Sequence, residues 1–141
     1  MSFKDIYKKV EEFQGLGIHD ILDQLDIDVI HRECLPLDKM SMYVDKCILI
    51  NNSLSEQMER NALLHEIGHA LFDKGCYLAN HRTEENNANW FMCLFLIFEG
   101  FWEYDYFDEF LIYEGVPPKI ARQFNDGVWQ YKRQVKLELA Y

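Results

Sequence analysis

The sequence has only four cysteines, Cys34, Cys47, Cys76 and Cys93, and no two of them form a C-x-x-C pair. That scatter argues against a disulfide frame and against a zinc ribbon, and predicts reduced, mostly buried thiols in a cytosolic protein. Long apolar runs are missing as well. The richest, Ala88 to Phe98, is about half of what a bilayer span requires and ends in Glu99-Gly100, so it reads as a buried helix. The opening Met1-Ser2-Phe3-Lys4-Asp5 lacks the charged-then-apolar layout of a secretory signal. These absences predict a cytoplasmic protein with no membrane partner. Positive charge is scarce: 14 basic residues face 24 acidic ones, for a net charge of −10. Direct nucleic-acid binding is thereby disfavoured, and a basic protein segment becomes the easier partner. No internal repeat or low-complexity linker divides the 141 residues, so the expectation is one domain over 1–141, with 101–141 as a C-terminal helical cap. Hydrophobic residues at 49% and aromatics at 15% are enough for a folded core.

What is present is centred on Leu64-His65-Glu66-Ile67-Gly68-His69-Ala70. Read as H-E-x-x-H on a helix, it puts two imidazoles on one face, able to grip one Zn²⁺. Glu66 lies beside the first of them, where a base can take a proton from water at the metal. A catalytic zinc generally takes three protein ligands, so a third must come from elsewhere.

Ahead of this motif, Phe3, Ile6, Tyr7, Val10 and Phe13 recur at helical spacing, and Gly15 and Gly17 follow as stops. A second short helix is expected over about His19 to Leu25. Ile27 to His31, Ser41 to Val44 and Cys47 to Ile50 read as strands, the last two joined by a turn at Asp45-Lys46. They predict a small antiparallel sheet. His19 and His31 have no motif around them and read as solvated or core-edge imidazoles. Ser53-Leu54-Ser55-Glu56 reads as a capping box for a helix from Leu54 to Asp73, with Met58, Ala62, His65, His69 and Asp73 on one face. Gly68 would let another element approach closely.

After a loop holding Cys76, Tyr77 and His81, Thr83 reads as the N-cap of a helix from Glu84 to about Phe98. That helix is apolar nearly all round and must be central to the fold. A carboxylate at its start is the best third ligand, but the residues alone do not separate Glu84 from Glu85, and both also suit the helix dipole. Beyond Gly100, an acidic and aromatic stretch predicts a helix from Asp105 to Tyr113 and exposed aromatics between Trp102 and Phe110. A last helix follows from Pro118 to Leu137.

His65-Glu66-x-x-His69 followed by Glu85-x-x-Ala88-Asn89 resembles the ImmA/IrrE-type zinc metallopeptidases of phages, integrative elements and their hosts. Ile48-Leu49-Ile50-Asn51 and Arg60 extend the likeness, which covers roughly residues 25 to 100. The resemblance implies an α+β, zincin-like fold, mostly helical, with the small sheet preceding the H-E-x-x-H helix. It also implies zinc held by His65, His69 and Glu85, with Glu66 as general base and Asn89 orienting a ligand from behind. The chain departs from many relatives at Asp73, where they carry His; a helix-ending role is slightly favoured over a hydrogen bond to His69.

The function so implied is a zinc-dependent endopeptidase that cleaves a helix-turn-helix repressor of a phage or mobile element. The alternative is a non-proteolytic, zinc-containing regulatory module that binds such a repressor. Tyr43, Tyr77 and His81 are the candidates for stabilising the oxyanion. The strand Cys47 to Ile50, if it lies at a sheet edge, would hold an extended substrate.

Overall fold

The computed structural model describes residues 2–36, 39–73 and 81–140. Helix α1 (Phe3–Glu12) begins at Ser2, whose hydroxyl and the Asp5 carboxylate cap each other's backbone N–H groups. Phe3, Ile6 and Val10, on one face of α1, enter the core. Helix α2 (Ile18–Gln24) buries Ile21 and Leu22. Strands β1 (Asp28–Arg32), β2 (Ser41–Val44) and β3 (Cys47–Asn51) form one sheet in the order β1-β3-β2.

The sheet is mixed. β2 and β3 form the expected hairpin, in register Ser41 with Ile50, but β1 runs parallel to β3. The hairpin turn is tight enough to hold Asp45 and Lys46 at φ 47° and 59°, the left-handed pair that suits the strand twist. Because β1 adds beside β3, β3 is the central strand, and β2 is the edge beside the site. Ile48 and Ile50 alternate toward the core from β3.

Helix α3 (Glu56–Phe72) packs against β2, β3 and α4 (His81–Ile97). It starts later than the sequence suggests. Ser55 is the N-cap, accepting from the Met58 N–H, while Ser53 donates both its N–H and its hydroxyl to Asn51 Oδ1. The local turn at Asn51 takes Ser53 away from the helix end, so the anticipated Ser53–Glu56 capping box does not form. Helix α4 starts earlier than expected, with Thr83 inside it, and ends in a short 3-10 turn at Phe98–Gly100. It packs against α1, α5 (Asp108–Tyr113) and α6 (Pro118–Ala140) as well as α3. This central position explains why α4 is apolar almost all round from Ala88 onward, its polar first turns lying at the exposed end.

Trp102, Tyr104, Tyr106 and Phe110 are exposed as anticipated, but Phe101 and Phe107 of the same stretch are buried and stack 6.3 Å apart. Of the described cysteines only Cys93 is buried; Cys34 is exposed and Cys47 half-buried, so the expectation of mostly buried thiols fails for these two. Cys76 lies outside the described residues. Among the described residues, no helix is long and apolar enough to cross a membrane.

Candidate active site

His65 and His69 sit one turn apart on α3, and their ring Nε2 atoms approach to 3.1 Å. Glu85, in the first turns of α4, reaches both: Oε1 lies 2.7 Å from His69 Nε2, and Oε2 lies 3.3 Å from His65 Nε2. Among the described residues, these three form the group whose donor atoms could hold one ion, all within 4.8 Å of one another. The donor set fits a small divalent cation. Ligand atoms ~2.1 Å from an ion at near-tetrahedral angles stand about 3.4 Å apart, a few tenths of an ångström beyond the separations found here.

The contact between the two helices places the carboxylate. A Cβ added to Gly68 would lie 2.7 Å from the Ala88 Cα. Only a residue without a side chain allows α4 to come so near. Glu85, one turn before Ala88, is thereby set over the imidazoles, and Glu84 instead lines the cleft beside them. The choice between adjacent glutamates, open on residue type alone, is made by this crossing.

The electrostatics of the trio favour positive charge at its centre. Burial by itself lowers the basicity of His69, but hydrogen bonds to Glu85 and Asp73 outweigh it and raise the pKa to about 9. Hydrogen bonds from His65 and His69 hold the Glu85 carboxyl well below the usual carboxylate range, against the opposing effect of burial. Asp73 both caps α3 and accepts from His69 Nδ1 at 2.9 Å. The sequence slightly favoured helix termination over this bond, and the structure shows both. The carboxylate fixes the ring so that Nε2 faces Glu85.

Glu66 is on α3 but turns toward β2, with only 5% of its surface exposed. The Ser41 hydroxyl donates to its Oε2 at 2.6 Å. Nothing in the sequence marked Ser41, because it meets Glu66 only when β2 lies against α3.

A cleft of about 880 Å³ opens over the trio. One wall is β2 and its approach, from Met40 to Tyr43; another is the α5–α6 turn and the start of α6, with Val116, Pro117 and Ile120; Met58 and Met92 give it an apolar floor. The turn is bound to α3 by Asn61 Nδ2 and Arg60 Nη2, which donate to the Glu114 carbonyl at 2.8 and 3.1 Å, and by Gln57 donating to the Tyr113 carbonyl. Tyr43, His81 and Asn89 line the cleft, and Tyr77 lies outside the described residues. His31 pairs with Glu59 away from the cleft, and His19 is solvent-exposed.

The sequence pattern of the M78 peptidases, described as the IrrE N-terminal-like domain, matches residues 15–125. No curated protein and no solved structure matches the chain. The matched span holds β1 to β3, both helices of the trio and the turn that walls the cleft, so the geometry and the pattern describe the same part of the molecule. The chain belongs to the M78 peptidase family, that of the IrrE N-terminal-like domain.

Proposed function

We propose that this protein is a zinc-dependent endopeptidase of the cytoplasm, and that its substrate is a helix-turn-helix repressor of a phage or mobile element. The observation that carries the reading is the meeting of His65, His69 and Glu85 donor atoms beside the buried Glu66 carboxylate in an open cleft. Zinc held there would supply Lewis acidity to a peptide carbonyl and make water more acidic. The chain's own residues do the rest. Asp73 and Glu85 orient the His69 ring from opposite sides. Glu66 takes the proton of the attacking water and returns it to the leaving amine nitrogen. Tyr43 or His81 donates to the developing oxyanion from the cleft wall.

The strand available to a substrate is β2 rather than the Cys47-to-Ile50 strand named from sequence, because β3 is paired on both sides. The Asn51 N–H donates to the Met40 carbonyl, and Ser41 stands opposite Ile50. In that register the main-chain groups of Ser41 and Tyr43 point away from β3, toward an edge that is free of other strands among the described residues. An extended peptide can add there by strand pairing, with its side chains over the apolar floor. The net charge of −10 is compatible with a basic DNA-binding partner.

The test is co-incubation of the zinc-loaded protein with any helix-turn-helix regulator found in its gene neighbourhood, followed by mass analysis of fragments. Wild type should cut once or at few sites, and Glu66→Gln should keep its zinc and cut nothing. A regulator that binds to the zinc-loaded wild type but stays whole would instead establish the non-proteolytic regulatory module.

A further inference from the structure

A carboxylate as buried as Glu66 is costly to keep without hydrogen-bond partners. Among the described residues its side-chain donor is the Ser41 hydroxyl, 2.6 Å from Oε2, across 25 positions of sequence. We infer that Ser41 is the positioning residue of Glu66, holding its carboxyl group in the one orientation from which Oε1 can exchange a proton with a reacting molecule in the cleft. The inference takes what Glu66 does from the peptidase reading, but where Glu66 is held stands on the geometry alone.

Three points of chemistry support it. A glutamate has three rotatable bonds, and a base must come within about 2.6–3.2 Å of its proton donor, so a free side chain would spend much of its time misaligned. The donor is a neutral hydroxyl, not a cation. It can therefore orient the group without adding a formal charge of its own beside it. When a proton sits on Oε1, Oε2 is still an acceptor, so the Ser41 bond persists through both halves of a proton transfer.

Ser41 is also a member of the edge strand. Its side chain turns to Glu66, and its main-chain groups face the free edge of β2. A peptide paired to that edge would immobilise the same residue that aims the base. Substrate docking and base alignment thus meet in one residue.

The test compares Ser41→Ala and Ser41→Thr with wild type by NMR of protein carrying ¹³C-labelled glutamate, the Glu66 signal being assigned by its loss in Glu66→Gln. Wild type and Ser41→Thr should show one Glu66 side-chain conformation, and Ser41→Ala should show rotamer averaging. With a helix-turn-helix regulator that wild type cleaves as substrate, Ser41→Ala should lower kcat about tenfold, with KM within about twofold and bound metal unchanged. Ser41→Thr should restore kcat. If Ser41→Ala does not fold, Ser41→Cys, a weaker donor of similar shape, takes its place with the same expectation. A single Glu66 conformation in the alanine variant overturns the inference. A loss expressed in KM alone, or one not rescued by Thr, does so too. Wild-type protein that binds no divalent ion, or that cuts without need of Glu66, would overturn the peptidase reading instead, and the NMR comparison would still decide the role of Ser41.

Discussion

The backbone of Ala88 fills the space where a side chain at Gly68 would stand: an added Cβ meets the Ala88 Cα at 2.7 Å, its carbonyl oxygen at 3.1 Å and its Cβ at 3.2 Å. This contact sets the distance between the two helices that carry the trio. It ties a glycine inside H-E-x-x-H to an alanine three residues beyond Glu85. Both small residues are required by one crossing.

Gly68→Ala should therefore destabilise the protein although alanine is the better helix former. The propensity gain is about 1 kcal/mol, whereas overpacking of a core costs about 1–3 kcal/mol, and here the obstacle is backbone that cannot rotate away. A net loss of up to about 2 kcal/mol is expected in denaturant titration. Metal affinity should fall with it, as α4 is pushed off α3 and Glu85 moves away from the imidazoles.

Glu85→Gln and Glu84→Gln should behave differently although the residues are adjacent. The first removes a carboxylate within 2.7 Å of His69 Nε2 and should lower affinity for zinc at least tenfold in competition with a chromogenic chelator. The second changes a cleft-lining group outside the trio and should leave affinity within about twofold. Equal losses would mean that the ion is held elsewhere.

Proton linkage gives opposite pH trends with and without a metal. With His69 raised to about 9, an ion entering at neutral pH displaces a proton, so affinity should climb with pH up to that value. Calorimetry in buffers of different ionisation enthalpy should count close to one proton released per ion. In chelator-treated protein, the raised His69 adds stability that is complete below its ordinary pKa of 6.5 and is lost as pH rises toward 9. The depressed Glu85 adds stability that is present above its ordinary 4.5 and is lost on acidification. The unfolding temperature of the chelated protein should thus drop between pH 6.5 and 9, over which zinc-loaded protein gains. Asp73→Asn removes the negative charge that helps raise His69 and leaves at most a neutral acceptor on Nδ1, so it should shrink that drop and weaken metal binding about 10- to 100-fold.

Gly115→Ala should disturb the cleft without touching the trio. Gly115 has φ +92°, and an added Cβ would lie 2.9 Å from Gln57 Oε1 and 3.1 Å from Asn61 Nδ2, two of the side chains that bind the turn to α3. A left-handed alanine costs about 1–2 kcal/mol before any clash is counted. Thermal unfolding should show that loss, metal content should be unchanged, and peptide cleavage should suffer mainly in KM.

How far the chain could be read in advance depended on how local each feature is. The face shared by His65 and His69 follows from helical pitch alone, and so does the apolar character of α4, which no solvent-facing position could tolerate. The hairpin at Asp45-Lys46 was visible because both strands and their turn are contiguous. Helix starts were less legible. Ser53 and Ser55 are chemically equal as caps, and the competing bond from Ser53 to Asn51 decided between them. Thr83 likewise suited a cap but lies inside a helix that begins at His81.

Sequence by itself determined that two imidazoles and a glutamate would share one helix, because backbone geometry repeats every 3.6 residues whatever surrounds it. Tertiary structure decided the rest. β1 joined β3 in parallel, which left β2 an edge strand, and the packing of β2 on α3 brought Ser41 to Glu66. The Gly68–Ala88 crossing set Glu85 rather than Glu84 over the ring nitrogens. These are contacts between segments far apart in the chain, selected by how α3 packs between the sheet and α4, and no spacing within a single segment encodes them.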